Sequence, residues 1–257
     1  MPKLTPALLS SLSKEDPKNA TVLNLSKQSI SHIDDISHCI CLKKLDLSEN
    51  RIDDSESLSG LGYLKTVTWL NLAGNGLTGV DYIWEMRALR VLNLSHNEIK
   101  VLPSKLSQFS DLQALILSHN KIECLDASVM PVSLNTLVLA HNSLKDMPSL
   151  KHCKSLSKLS LSHNQLHNLP DLDKLPILKE LRLNDNRLMS LGRIPLTLTV
   201  LDIGNNPLDR LEVLPQRLQN LNILGTKIKI DEIKGLKVFN GKSVQGRKKR
   251  PFHPKKK

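Results

Sequence analysis

The sequence predicts an α/β solenoid: a curved right-handed horseshoe with short parallel strands on its concave face and a mostly irregular or 3-10 convex side. Three observations carry that prediction. The pattern L-x-x-L-x-L-x-x-N-x-[IL] recurs along most of the 257 residues, as in Leu42-Lys43-Lys44-Leu45-Asp46-Leu47-Ser48-Glu49-Asn50-Arg51-Ile52. The asparagines of the pattern, Asn50, Asn75, Asn97, Asn120, Asn142, Asn164, Asn186 and Asn206, stand 20 to 25 residues apart, the period of a stacked array. Hydrophobic residues make up 40% of the chain but aromatics only 3%, so leucine supplies the core volume that rings usually provide, which suits thin, similar layers.

Each element follows from the pattern. Leu45 and Leu47 alternate with Lys44 and Asp46, the period-2 signature of a short strand with one buried face. Equivalent units occupy 89–99, 112–122, 134–144, 156–166 and 178–188; units 67–77 and 198–208 carry Val67 and Ile203 in leucine slots. Two flanking units are degenerate, with Gln28 in the asparagine slot of 20–30 and Thr226 in that of 218–228, as expected of terminal repeats that face solvent. These ten units are numbered repeats 1 to 10 in chain order. Successive strands joined by long crossovers form a parallel sheet. The asparagine leaves the strand at a turn, where its amide can serve backbone groups of neighbouring layers and so form a ladder. Pro103, Pro148 and Pro170, with Pro131, Pro195 and Pro215 three residues before a strand residue, argue against regular convex helices; only Asp81 to Met86 reads as helical. The expected organisation is an N-terminal cap segment at 1–19, a repeat domain with its C-terminal cap at 20–241, and a basic disordered tail at 242–257.

On these motifs the sequence resembles the intracellular leucine-rich-repeat proteins, and the resemblance covers most of the chain. Leu102-Pro103, Met147-Pro148 and Leu169-Pro170 resemble the L-P-x-x-L pattern of plant and Ras-group repeats. The rhythm is similar to that of phosphatase-1-regulatory and dynein-light-chain repeats, and Leu236-Lys237-Val238-Phe239-Asn240-Gly241 resembles the C-terminal cap of that group. The resemblance implies a horseshoe that binds protein and leaves the partner open.

The four cysteines, Cys39, Cys41, Cys124 and Cys153, form no terminal cluster, and Met1 to Asp16 holds no apolar run of signal-peptide length. The expected compartment is therefore reducing, nucleus and/or cytoplasm and not secreted, and the sequons at Asn19, Asn24 and Asn93 are expected to stay bare. No window reaches the roughly 18–20 apolar residues of a membrane helix, so no membrane association is expected, and the chain reads as a monomer.

Function must come from the face the repeat leaves free. The third and fifth pattern positions point to the concave side. In repeats 3 to 6 they hold Trp69, Val91, Ala114, Ile116, Thr136 and Val138; beyond them lie Lys158, Glu180 and Arg182. An apolar centre with a charged rim is how protein interfaces are arranged. The alternative is that β-branched residues simply suit strands. His96, His119, His141 and His163 precede the asparagine in four consecutive repeats, so their rings could form a column along the sheet. No carboxylate or cysteine completes a coordination shell, so no metal is expected; a proton-sensitive interface is the better reading. Cys39 and Cys153 share a slot with Phe109 and read as packing residues. No phosphate loop, nucleophile elbow or paired-carboxylate cleft is present, so neither enzymatic activity nor a cofactor is expected.

The formal charge of +11 is uneven: residues 242–257 carry +8, leaving +3 for the rest. Arg247, Lys248, Lys249, Arg250, Lys255, Lys256 and Lys257 read as a nuclear or nucleolar localisation signal, a nonspecific RNA contact, or a solvated tail without function. Two functions thus stand side by side: a non-catalytic adaptor or regulatory subunit binding a protein through its concave face, and an RNA-associated or ribosome-assembly factor using its tail.

Overall fold

The computed structural model describes residues 2–13, 15–212, 214–229 and 243–245. The ten repeats each contribute one three-residue strand, from Val22–Asn24 in repeat 1 to Asn220–Asn222 in repeat 10. All pair in parallel with their sequence neighbours, in a register that places equivalent positions side by side: Leu92 opposite Leu115, Leu115 opposite Leu137. The period-2 reading holds in every layer. The middle residue of each strand is buried, as in Leu45, Leu70, Leu92, Leu115, Leu137, Leu159, Leu181 and Leu201, while its two neighbours are half-buried or exposed except for Ser160, which is buried.

An eleventh strand, Ser243–Gln245, pairs in parallel with Asn220–Asn222. This strand lies just past the boundary expected at 241. Hydrogen bonding along an otherwise open sheet edge is the physical gain that the sequence pattern does not reveal.

At the other end, Lys3–Leu4 pairs with His32–Ile33 in a separate two-stranded sheet. Between them Pro6–Leu12 forms an α-helix, capped by Thr5, whose Oγ1 accepts a hydrogen bond from the Leu8 backbone N–H at 3.2 Å. Proline at the first helical position suits a turn whose N–H has no partner anyway. Leu4 and Leu9 are fully buried, closing the end of the stack.

The convex side carries 3-10 helices at Glu56–Tyr63, Asp81–Glu85, Ser104–Gln108 and Ala127–Val129. The α-helix expected at Asp81 to Met86 is thus corrected to a 3-10 turn, in which the Met86 N–H bonds to the Ile83 carbonyl. A span so short holds the tighter i→i+3 pattern. The Ser104–Gln108 turn starts directly after Pro103; no convex helix follows repeat 6 among the described residues. Trp84 and Phe109 are buried together with centroids 5.7 Å apart, filling the layer behind repeats 4 and 5. Gly60 shows how closely one crossover approaches the N-terminal sheet: a Cβ there would sit 1.9 Å from the Asp34 carbonyl oxygen.

Cys39 and Cys153 are buried as expected of packing residues, and burial pushes both thiols up to about 11. Cys41 and Cys124 are exposed, and all four cysteines are free.

Candidate functional site

Two ladders run along the turn edge of the sheet, built from adjacent residues. The first is the asparagine ladder. Asn120 Nδ2 donates to the carbonyls of Leu94 at 2.9 Å and Leu117 at 3.1 Å, while its Oδ1 accepts from the Ile99 N–H at 3.0 Å. Asn142 repeats this one layer on, again using the Leu117 carbonyl, at 2.9 Å. Asn164, Asn186 and Asn206 continue the series. One amide thus satisfies backbone groups of two layers, which is why a buried polar side chain is tolerated there. In the terminal repeats, Gln28 offers only its backbone N–H to Asn50 Oδ1, and Thr226 bonds within its own layer.

The second ladder is the histidine column. The residue before the asparagine slot has a positive φ in all ten repeats: Lys27, Glu49, Gly74, His96, His119, His141, His163, Asp185, Asn205 and Gly225. Glycine, asparagine, aspartate and histidine are the residues that visit this left-handed region most readily. That turn swings the side chain off the sheet edge into solvent. The four imidazoles stack with centroids 4.1, 4.1 and 4.0 Å apart and planes within 12°. The column expected from the sequence is present. Burial first, then the neighbouring imidazoles, hold His119 and His141 below the usual histidine range. At the column's end stands Asp185, 3.4 Å from His163 Nε2. Burial pushes Asp185 up, but hydrogen bonds from Asn184 and Asn205 and the nearby histidines outweigh it, and its carboxyl lies below the ordinary range. Among the described residues no three His, Cys, Asp or Glu side chains converge as a ligand set.

The sheet's open face carries the predicted stripe. Trp69, Val91, Ala114 and Thr136 lie side by side in register, as do Ile116 and Val138 in the next row; all six are half-buried. The stripe is therefore stepped: it occupies the third position in repeats 3 and 4 and widens into the fifth in repeats 5 and 6. Where the fifth position is polar, its side chain is satisfied locally. Asp46 Oδ1 accepts from Ser48 and from Asn71 Nδ2, and Asn93 Oδ1 accepts from the Ser95 N–H and Oγ–H. Ile116 and Val138 replace that device with bare hydrocarbon.

Lys158, Glu180 and Arg182 form a compact ion cluster on the same face, with Glu180 3.3 Å from Lys158 Nζ and 2.6 Å from Arg182 Nε. Burial raises the Glu180 carboxyl, yet the two cations win and hold it below its usual range. These three residues neutralise one another to a net single positive charge. Sequence reasoning missed a second rim. Lys43, Arg90 and Lys179 occupy the second pattern position, are exposed, and make no ion pair among the described residues; that row holds no acid from Thr21 to Gln219. The signal was present as a column of the repeat alignment. On the convex side a cavity of about 520 Å³ opens near Leu191, Ile194 and Leu211, but its arginines are already engaged, Arg193 with Asp171 and Asp173 and Arg210 with Glu212. The tail residues Arg247, Lys248, Lys249, Arg250, Lys255, Lys256 and Lys257 lie outside the described residues.

Leucine-rich-repeat models match at residues 38–55, 65–122 and 132–174, each over strands and turns of the stack just described. The chain belongs to the leucine-rich-repeat proteins. Among curated relatives it is 38% identical to Tsukushi-A of Xenopus laevis over 96 residues, 36% of this chain and 27% of that protein. To Tsukushi of Mus musculus it is 38% identical over 82 residues, 30% and 23% of the two chains. The chain thus spans about a quarter of the length of the curated relatives it matches. Among solved structures, the functional domain of InlJ from Listeria monocytogenes superposes with a TM-score of 0.69 at 25% identity, covering 82% of this chain and 46% of that one. The LRIM1/APL1C complex matches with a TM-score of 0.55 at 25% identity, over 88% and 51%.

These relatives correct one expectation. Tsukushi proteins are secreted, so the placement in nucleus or cytoplasm does not stand. A missing cysteine cluster and a polar N-terminal segment are negative features, and neither carries the physical weight of a positive match. The reading of bare sequons rested on that placement and falls with it; Asn19 and Asn24 are both exposed. Leucine-rich-repeat proteins generally mediate protein–protein interaction, and their families are typically non-enzymatic.

Proposed function

We propose that this chain is a non-catalytic adaptor or regulatory subunit that captures a protein partner on the open face of its sheet. The reading rests on one observation: in repeats 3 to 6 the face carries Trp69, Val91, Ile116 and Val138 as a contiguous half-buried apolar stripe. The repeats on either side fill the same positions with polar groups, Lys44 and Asp46 before the stripe and Lys158 and Ser160 after it, of which Asp46 and Lys158 are bonded locally. Exposed apolar surface of this kind costs free energy in water and is recovered when a partner covers it. The LRIM1/APL1C complex, an assembly of two chains on a similar fold, is consistent with this use. The ion cluster of Lys158, Glu180 and Arg182 forms the polar rim at one end, where it excludes water and sets register more than it adds affinity.

Affinity capture with the full chain tests the proposal. Trp69→Ala and Ile116→Asp should each abolish specific capture while leaving the cooperative unfolding transition in place. Unchanged capture by both variants would sink the reading.

A further inference from the structure

The stripe is bordered on both sides by groups that favour negative charge. On the strand-entry side Arg90 stands beside the stripe, with Lys43 one repeat before it and Lys179 two repeats beyond it, all exposed and without ion-pair partners among the described residues. On the turn side runs the imidazole column, at the next exposed position past Ser95, Ser118, Ala140 and Ser162. Its rings are unusually idle. The rings of His96, His119 and His141 take no hydrogen bond among the described residues, and of the column only His163 has an acid within 4 Å, Asp185. The left-handed backbone of the slot admits histidine, but it admits glycine, asparagine and aspartate equally, and leaves the ring nitrogens of His96, His119 and His141 open.

We infer that this face takes an extended acidic segment of its partner, with apolar side chains on the stripe and carboxylates on the two rims. The inference rests on the concave-face reading above and adds the partner's chemistry. Charge complementarity supports it: the second-position row holds three cations, Lys43, Arg90 and Lys179, among neutral residues and no acid, and the acids near the stripe, Asp46 and Glu180, are already spent on internal bonds. The spacing of the column also fits. Same-side carboxylates of an extended chain lying across the strands recur about every 6.6–6.8 Å, so successive ones fall against every first or second ring of the column, and a bound carboxylate favours the imidazolium.

This geometry makes docking proton-coupled. In the free chain the inner rings, His119 and His141, resist protonation through burial and mutual repulsion. The groups acting on them are His96, His163 and Asp185; around the turn beyond, Glu98 is paired with Lys121, Arg187 is exposed, and Glu49 lies past Gly74. An acidic segment reverses the balance, so binding takes up protons and tightens as pH falls from 7.5 toward 6. A purely apolar partner would show the opposite sign, since covering the column would then disfavour charging it.

The test uses the full chain and three synthetic peptides of equal length alternating Glu-Leu, Gln-Leu and Lys-Leu. Binding is followed calorimetrically and by the change in Trp69 fluorescence over the signal of buried Trp84, which the Trp69→Ala variant records by itself. The Glu-Leu peptide should bind tightest and the Lys-Leu peptide weakest. From pH 7.5 to 6 the Glu-Leu affinity should rise about three- to tenfold, the sum of a few half-exposed ion pairs. The double variant His119→Gln/His141→Gln should erase that rise, and Arg90→Gln should weaken binding at both pH values without erasing it. Absence of binding by any peptide, equal binding of Glu-Leu and Lys-Leu, or an affinity flat with pH would each overturn the inference. If Gln-Leu binds as well as Glu-Leu and Trp69→Ala abolishes both, the acidic partner is refuted while the concave face stands. If partner capture survives Trp69→Ala and Ile116→Asp, the concave face itself is refuted.

Discussion

Asn120 and His119 are neighbours in sequence, and each belongs to a ladder with the same period, yet the two ladders live in opposite environments. The asparagines are 2–9% exposed wherever the ladder is fully buried, and their amides are saturated by backbone groups of two layers. The histidines sit at positive φ, stand in solvent and bond to almost nothing but one another. The difference teaches that periodicity alone does not separate architecture from function. A side chain whose hydrogen bonds all close inside the repeat is structural; one that repeats with equal fidelity and leaves its bonds open has capacity for something outside.

Core and ladder changes break the comparison hardest. Leu137→Ala removes a fully buried strand leucine at the centre of the stack and should cost about 2–5 kcal/mol, read as a shift of the urea midpoint. Asn120→Ala leaves buried backbone groups of two layers unpaired and should cost about 1–3 kcal/mol. The neighbouring change His119→Gly should do the reverse. It relieves a left-handed backbone of its Cβ, as Gly74 already does in repeat 3, so stability should stay level or rise by up to about 1 kcal/mol. A larger loss from His119→Gly than from Asn120→Ala would show that the column, not the amide, holds the layers.

The smallest effect is the pH dependence of stability in the free chain. His119 and His141 have folded pKa values below those of the unfolded chain. The unfolded state therefore binds protons first, and stability falls as pH drops through about 6.5. Urea midpoints at pH 7.5 and 5.5 should differ less in His119→Gln/His141→Gln than in the parent chain; an equal difference in both would place the titrating groups elsewhere. This sign is opposite to that of acidic-segment binding, so the two measurements separate the column's internal cost from its use.

The repeat, the parallel sheet, the buried strand leucines and both ladders were legible in the sequence, because each depends on a pattern that recurs in every layer. The stripe from Trp69 to Val138 was legible as a list of residues; its stepped shape came from register and from the local bonds that disarm Asp46, Asn71 and Asn93. The helix expected at Asp81 to Met86 was misread because hydrophobic spacing over one turn does not distinguish i→i+3 from i→i+4 bonding. The edge strand at Ser243–Gln245 was missed because it lacks the leucine pattern and is defined only by what it pairs with. The compartment was misread because it was argued from absences.

By itself, then, the sequence determined the layer: which residues turn inward, which turn out, and how often the layer repeats. These are local consequences of alternation, turn chemistry and volume. Only the tertiary structure decided what the outward residues of different layers become together. Whether Lys158 and Arg182 are free cations or Glu180's partners, whether four histidines touch, and where Ile116 meets Val138 all depend on distances between layers, and those are set by strand pairing across residues some twenty positions apart.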